Sequence, residues 1–421
     1  PDVKLEDHPP GRGRGSSVAL VIGYLIGLSH IDPLEFGLRL ERFLPDFDEG
    51  EEVPSLDIDL DFPRDIREEL ILRIHKRLGF EHAVLTGMFP TYKVRGAIRD
   101  LGNALGLPED DLVSLIKLID GHSGINDLTN EMSKLSGYRD RLDAPLWKEL
   151  VELALQLNRF PKYLAQHPGG MILSAQPMSE AVPLQHGAID GRYICQWDKN
   201  SVEDAGFVKI DFLALGALSQ MTEALQLIRI YKERTVDISR IDFTDIAVYR
   251  DIQNADTIGV FQIESPAQMQ TLVRLKPRNL QEMAWEVGAV RPGVGVNDGV
   301  SMLIRRHLGH ELVTYDHPLE RKALERTLGV VLFQDQLAEL ARYVAGMSPA
   351  EGERMRRSLS RRDRDQQVSV WRAKFIAGAV EKGVSKEIAN KIFGKFHNLY
   401  QFPEAHAFAF GVTAYQMSWL K

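Results

Sequence analysis

Between Leu56 and Phe62 the chain reads Leu-Asp-Ile-Asp-Leu-Asp-Phe, with carboxylates alternating with large apolar residues. A period of two is the signature of a strand with one buried and one open face. Asp57, Asp59 and Asp61 then project from the same face, with about 7 Å between successive side chains. Like charges packed together cost stability. Divalent cations are the usual compensation, because Mg²⁺ prefers carboxylate oxygens and keeps positions open for phosphate. A second run, Phe207-Val208-Lys209-Ile210-Asp211-Phe212, has β character and carries Lys209 and Asp211 on one face. If the two strands are neighbours, three carboxylates and one lysine surround a metal pair, as two-metal phosphoryl transfer requires. Spacing alone leaves another reading open, an acidic strand edge in solvent, since edge charges also protect against strand association.

Composition excludes several classes. With 44% hydrophobic and 26% charged residues the chain is not disordered over most of its length, and 421 residues suggest two to four domains or subdomains. The one cysteine, Cys195, permits neither an internal disulfide nor a Cys-based zinc site, and fits a reducing, cytoplasmic setting. The longest apolar run, Val18 to Leu28, is too short to span a membrane, and Pro1 to Ser16 is too polar for a signal peptide. Both ends read as cut from a longer protein. The net charge of −8 argues against nucleic acid. Locally, however, Arg354, Arg356, Arg357, Arg361, Arg362 and Arg364 crowd eleven residues, with a smaller group at Lys93, Arg95 and Arg99. Such a cluster is most often a solvated helix face, but arginine in place of lysine favours bidentate phosphate contacts.

The glycine-rich run Gly11-Arg12-Gly13-Arg14-Gly15-Ser16-Ser17 leads into a helical stretch, Val18 to Leu28. Backbone N–H groups at such a junction make an anion site, although most glycine-rich turns are only turns. No Walker lysine follows. Asp46 to Pro54 reads as an acidic linker, and Arg64 to Leu78 as an amphipathic helix. Helices are expected at Lys93–Leu105, Glu109–Leu118 and Pro145–Leu157, then a tight turn at Gln166 to Gly170 leading into a strand. Further strands are expected at Tyr193 to Trp197 and Gly206 to Asp211. Beyond Leu213 the pattern is helical: Ala217–Lys232, Asp245–Asn254, Pro266–Leu275, Gln334–Ala345, Pro349–Leu359 and Val368–Lys382. Strands that return after a helical insertion suggest a sheet supplied from both sides of that insert.

The chain resembles the catalytic core of C-family bacterial DNA polymerases, the alpha subunit of DNA polymerase III, and within that family the error-prone, damage-associated form. The motifs that carry the resemblance run in order: Gly13-Arg14-Gly15-Ser16; Asp57-Ile58-Asp59-Leu60-Asp61-Phe62; Val208-Lys209-Ile210-Asp211-Phe212-Leu213; Gly259-Val260-Phe261-Gln262-Ile263-Glu264-Ser265; Arg291-Pro292-Gly293; Phe333-Gln334-Asp335-Gln336; Arg356-Arg357; and Phe402-Pro403-Glu404-Ala405-His406. Ile194 to Lys199 and Pro403 point to the error-prone branch.

The resemblance implies an α+β fold. A polymerase beta-like nucleotidyltransferase palm with a mixed sheet would occupy residues 1–90 and 164–215, an inserted helical thumb 91–163, and a large helical fingers domain 216–421. It implies that Asp57, Asp59 and Asp211 bind two Mg²⁺ ions and are catalytic, with Asp61 outside that required set. Gly15, Ser16, Arg42, Lys209 and Arg357 match positions that contact the incoming triphosphate. Tyr400 and His406 match positions near its sugar and base. His406 read without the family is a packed residue. Phe261 and Gln262 read equally as fingers core and cap or as substrate contacts, Arg291 and His167 as turn residues, and Trp197 and Trp285 as packing. The implied partners are primer-template DNA and deoxynucleoside triphosphates, with a sliding clamp and other replication or mutagenesis proteins for the full-length protein, and no membrane.

The sequence departs from the family pattern in three ways. Ser55-Leu56 separate Pro54 from the first aspartate, Glu404 stands where a lysine is usual, and the family's phosphoesterase-type and duplex-, clamp- and single-strand-binding regions are not in these 421 residues. The implied activity is template-directed DNA synthesis with error-prone character. Three alternatives stand beside it: a two-metal phosphodiesterase or nuclease, a non-catalytic DNA-binding fragment, and a replicative alpha subunit.

Overall fold

The computed structural model describes residues 11–38, 58–120, 124–187, 189–238, 241–290, 298–359, 365–396 and 402–421. The chain forms two compact units. The first comprises Pro1–Arg77, Gly169–Leu173 and Gly206–Lys421; the second comprises Leu78–Pro168 and Ser174–Ala205. Seven strands occur among the described residues: β1 (Arg12–Arg14), β2 (Ile58–Phe62), β3 (Ala83–Met88), β4 (Ala165–Leu173), β5 (Leu184–His186), β6 (Tyr193–Cys195) and β7 (Lys209–Ala214).

In the first unit β1 pairs antiparallel with β2, β2 parallel with β7, and β7 antiparallel with β4 through Gly170, Met171 and Ile172. The ladder is mixed, and the two strands expected from the carboxylate patterns are direct neighbours. Parallel strands need a long crossover. Here the chain between β2 and β7 carries the whole second unit, so strands do enter from both sides of an insert. On the apolar side the Phe62 and Phe212 rings stack with centroids 5.7 Å apart.

Two local expectations need correction. The turn expected at Gln166 to Gly170 is absent, because that run is extended inside β4. Pro168 is tolerated because it precedes the residues paired with β7. A Cβ on Gly169 would lie 2.1 Å from the Phe212 carbonyl oxygen, so glycine is required by close backbone approach and not by a turn. The helix expected over Val18 to Leu28 is two short pieces, Ser16–Ala19 and Val21–Leu25, separated by Leu20 in extended conformation.

The helix Arg64–Leu78 forms as its periodicity requires. Later helices of the first unit surround two apolar cores. One gathers Leu218, Met221, Met283, Phe333, Phe408 and Tyr415; the other gathers Leu340, Met355, Phe375, Ile392 and Phe393. Side-chain caps fix several starts: Asp245, Ser265, Asn279 and Ser385 each accept from a backbone N–H of the first turn. The helix Leu280–Ala289 is buried on all sides and packs on the helix Glu404–Leu420. A helix buried all round shows no apolar stripe.

The second unit pairs β3 parallel with β6 and β5 antiparallel with β6. Its helices Val94–Ala104, Glu109–Leu118, Leu128–Lys134 and Pro145–Gln156 close on Ile98, Leu112, Leu115, Met132, Trp147 and Leu150. Arg141 lies 5.1 Å from both the Tyr138 and Trp147 ring centroids. Lys93, Arg95 and Arg99 are exposed, and Arg95 donates to the Ile119 carbonyl. No helix among the described residues is long and apolar enough to cross a membrane.

Candidate active site

The parallel register of β2 and β7 sets Asp59 directly across from Asp211. Directly opposed residues share a face, so the two carboxylates point the same way. Lys209, two residues before Asp211, is on that face as well. Its Nζ donates to Asp211 Oδ2 at 2.7 Å, and both side chains are buried. A buried like-charge cluster is costly unless compensated, and Lys209 supplies compensation from within the same strand.

The antiparallel register of β1 brings further cations. Arg14 lies across from Asp59 and Arg12 across from Asp61. Arg14 Nη1 is 3.4 Å from Asp61 Oδ1. Burial pushes the Asp61 carboxyl up to about 6, against the pull of Arg14 and with the push of Asp59. Burial also pushes the Arg12 guanidinium down to about 10, with Asp61 opposing. His30, beside them, is pushed down to about 4 by burial and by the Arg12 charge.

Gly15 follows β1 in the left-handed region, with φ 61°. A Cβ there would lie 2.8 Å from His406 Cε1 and 3.5 Å from Asp59 Oδ2. Gly15 is therefore wedged between the Asp59 carboxylate and the His406 ring, and both its φ and its lack of a side chain are needed. The Ser17 hydroxyl donates to the Asp59 carbonyl at 3.4 Å. The helix that follows, Ser16–Ala19, is one turn long. Any anion held at this turn would meet individual N–H groups and not a long helix dipole.

His406 rides on the first turns of Glu404–Leu420, between the edges of Phe402 and Phe410 at centroid distances of 6.0 and 6.2 Å. The Phe333 to Gln336 motif anchors that helix. Gln334 N donates to the Phe402 carbonyl, and Asp335 Oδ2 accepts from Glu404 N at 2.8 Å. Gln336 is fully buried; it accepts from the Leu332 and Phe333 amides and donates to Ala323 O and Thr327 Oγ1. Glu404 is buried in a fork with Arg326, at 2.7 Å for both bonds, and Arg326 also binds Glu339. The departure from lysine at this position thus serves a structural ion pair.

The structure brings together Gly15, Asp59, Lys209, Asp211 and His406. Arg357 stands apart on the helix Pro349–Leu359. Its side chain is 62% exposed, its Nε donates to Glu353, and among the described residues it makes no ion pair with Asp59 or Asp211. Arg356, also on that helix, is half-buried and held by Glu353 and Gln334, so it is an internal support. Asp57, Arg42 and Tyr400, the Arg291-Pro292-Gly293 motif and the arginines 361, 362 and 364 lie outside the described residues, as does the Ser16 side chain. Trp285 and Phe261 pack, Phe261 edge-on to Phe410 at 5.2 Å. Arg12, Arg14 and Ser17 received no role from the sequence. Their signal was an Arg-Gly-Arg alternation complementary to Asp-Leu-Asp, but three residues are too few to establish a period.

Among the described residues no group of three or more His, Cys, Asp or Glu side chains is disposed to hold a metal. Asp59 and Asp211 supply a pair of opposed oxygen donors, a donor set suited to a hard divalent cation and not to zinc or copper.

Comparison with known proteins fits this geometry. Residues 3–214 match the family model described as Bacterial DNA polymerase III alpha NTPase domain, and residues 217–383 match Bacterial DNA polymerase III alpha subunit finger domain. A protein named Error-prone DNA polymerase 3 from Agrobacterium fabrum is 39% identical over 97% of this chain and 37% of its own length. Proteins named Error-prone DNA polymerase from Pseudomonas fluorescens and Methylococcus capsulatus are 37% and 35% identical, over 100% and 97% of this chain and 40% and 39% of their own lengths. The chain spans about two fifths of the length of these curated relatives.

Proposed function

Because this chain belongs to the bacterial DNA polymerase III alpha family, we propose that it is the catalytic core of a cytoplasmic DNA-templated DNA polymerase that extends a primer 3′ end with deoxynucleoside triphosphates. The observation that carries the proposal is the parallel β2–β7 register, which sets Asp59 opposite Asp211 with Lys209, Gly15 and His406 beside them. The error-prone character is proposed from the likeness to the named relatives. In the same reading, residues 1–90 and 164–215 are the palm, 91–163 the thumb and 216–421 the fingers.

Asp59 and Asp211, with Asp57, would hold two Mg²⁺ ions. When bound, such a pair lowers the pKa of the primer hydroxyl and stabilises the departing pyrophosphate. The chain's own residues do the rest. Lys209 offers a buried cation beside the reacting phosphate. The turn at Gly15 and Ser16 offers backbone N–H groups to the triphosphate, which the lack of a Gly15 side chain leaves accessible. His406 borders the same space and packs on the nucleotide. Arg42, Arg357 and Tyr400 belong to the nucleotide site by the family resemblance.

Primer extension tests the proposal. The expected result is Mg²⁺-dependent lengthening that Asp59→Ala and Asp211→Ala abolish with folding intact and that EDTA stops. Shortened primers would establish a nuclease, and unchanged primers would leave a DNA-binding fragment. Extension that survives either substitution would refute the site. For the error-prone part, accurate copying together with a complete stop at an abasic site would refute it.

A further inference from the structure

The strand β1 is three residues long and lies at the edge of the ladder, where few backbone bonds hold it. Yet it delivers Gly15 to the space between Asp59 and His406. Side chains supply what the backbone cannot. Arg12 and Asp61 are 6% and 4% exposed and face each other across the strand pair. Arg14 approaches Asp61 Oδ1 to 3.4 Å. The three guanidinium nitrogens of Arg12 have no hydrogen-bond partner among the described residues, and they border a cavity of about 20 Å³ shared with Asp61, His30 and Thr413. A space of that size admits about one water molecule and no phosphate. Arg12 is therefore an internal cation, and Asp61 is the carboxylate placed to balance it.

We propose that Asp61 is a positioning residue for nucleotide binding: by balancing Arg12 and holding Arg14 it clamps β1 to β2 and fixes the Gly15 turn against Asp59 and His406. The proposal rests on the polymerase reading and extends it to a residue that touches neither metal nor nucleotide. The competing role for Asp61 is that of a third metal ligand, since it shares a face with Asp59. Its burial and its engagement by Arg14 argue against that role.

The experiment compares Asp61→Asn, Arg14→Gln and the double variant in Mg²⁺-dependent primer extension by the intact chain. Loss of this partly buried ion contact corresponds to about a tenfold effect. The expected result is a KM for deoxynucleoside triphosphate raised about tenfold in each single variant, with kcat and the Mg²⁺ dependence nearly unchanged. The double variant should be no worse than the poorer single one, because both changes open the same clamp. A raised Mg²⁺ requirement with KM unaltered would assign Asp61 to the metal and overturn the proposal, as would additive effects of the two substitutions. Amide hydrogen exchange at residues 12–17 provides a readout that needs no activity: faster exchange in Asp61→Asn is expected, and unchanged exchange refutes the clamp. Arg14 is partly exposed, so Arg14→Gln keeps the test open should Asp61→Asn fail to fold. If the wild-type chain extends no primer, the polymerase reading falls while the exchange experiment still decides the clamp.

Discussion

Replacing Arg326 with methionine removes the centre of the ion cluster that holds the His406 helix. Arg326 makes two bonds to Glu404 and two to Glu339, all between 2.7 and 3.0 Å. The partner carboxylates are 6% and 7% exposed. Burial acts to lower the Arg326 pKa, but Glu404 and Glu339 outweigh it and hold the guanidinium firmly charged. Methionine retains the apolar stem and removes the guanidinium that makes two bonds to each of two buried carboxylates. Breaking one buried pair by removing one partner costs roughly 3–5 kcal/mol, and a loss in that range is expected here because one guanidinium serves both carboxylates. Replacing all three residues with apolar ones removes the Arg326, Glu339 and Glu404 charges together and is expected to cost about 1 kcal/mol or less. Urea unfolding of Arg326→Met and of the triple variant Arg326→Met, Glu339→Leu, Glu404→Leu measures both. A loss below about 1 kcal/mol for the single variant would refute the argument that the cluster's stability is conditional on its cation. So would a triple variant as unstable as the single one.

Gly15→Ala places a methyl 2.8 Å from His406 Cε1 at φ 61°. It is expected to cost about 1–2 kcal/mol of backbone strain and to raise KM for the incoming nucleotide more than it lowers kcat in steady-state extension. Gly169→Ala sets a methyl 2.1 Å from the Phe212 carbonyl oxygen; since β4 must shift on β7, a loss of about 1–3 kcal/mol is expected from chemical unfolding, that of overpacking a core. His30 is held neutral, its pKa lowered from 6.5 to about 4 by burial and Arg12. A depressed pKa contributes stability that is present above 6.5 and lost as pH falls through about 4. Thermal melts should therefore fall more steeply for wild type than for His30→Gln across that window, and parallel curves would refute the burial of a neutral imidazole.

Much of the site was legible because strand chemistry is local. Asp59 and Asp211 fall on strands whose period of two is written in Ile58 to Phe62 and Lys209 to Phe212. Arg64–Leu78, Glu109–Leu118, Pro266–Leu275 and Pro349–Leu359 form at the residues their apolar spacing gives. Leu280–Ala289 carried no such signal, because a helix packed on every side has no polar stripe. The turn read at Gln166 to Gly170 failed because proline and glycine mark turns and also close backbone contacts, and only the approach of Phe212 distinguishes the two.

The sequence by itself determined which residues carry charge on which face of each strand, since alternation fixes direction once a segment is extended. Tertiary structure alone decided which faces meet. It paired β2 with β7 across the long insert, brought Arg12 and Arg14 against Asp61, and directed Glu404 into Arg326. Those outcomes depend on contacts between residues far apart in the chain, where burial turns the sum of many apolar contacts into a register and a charge into a demand for a partner. No local pattern contains that sum.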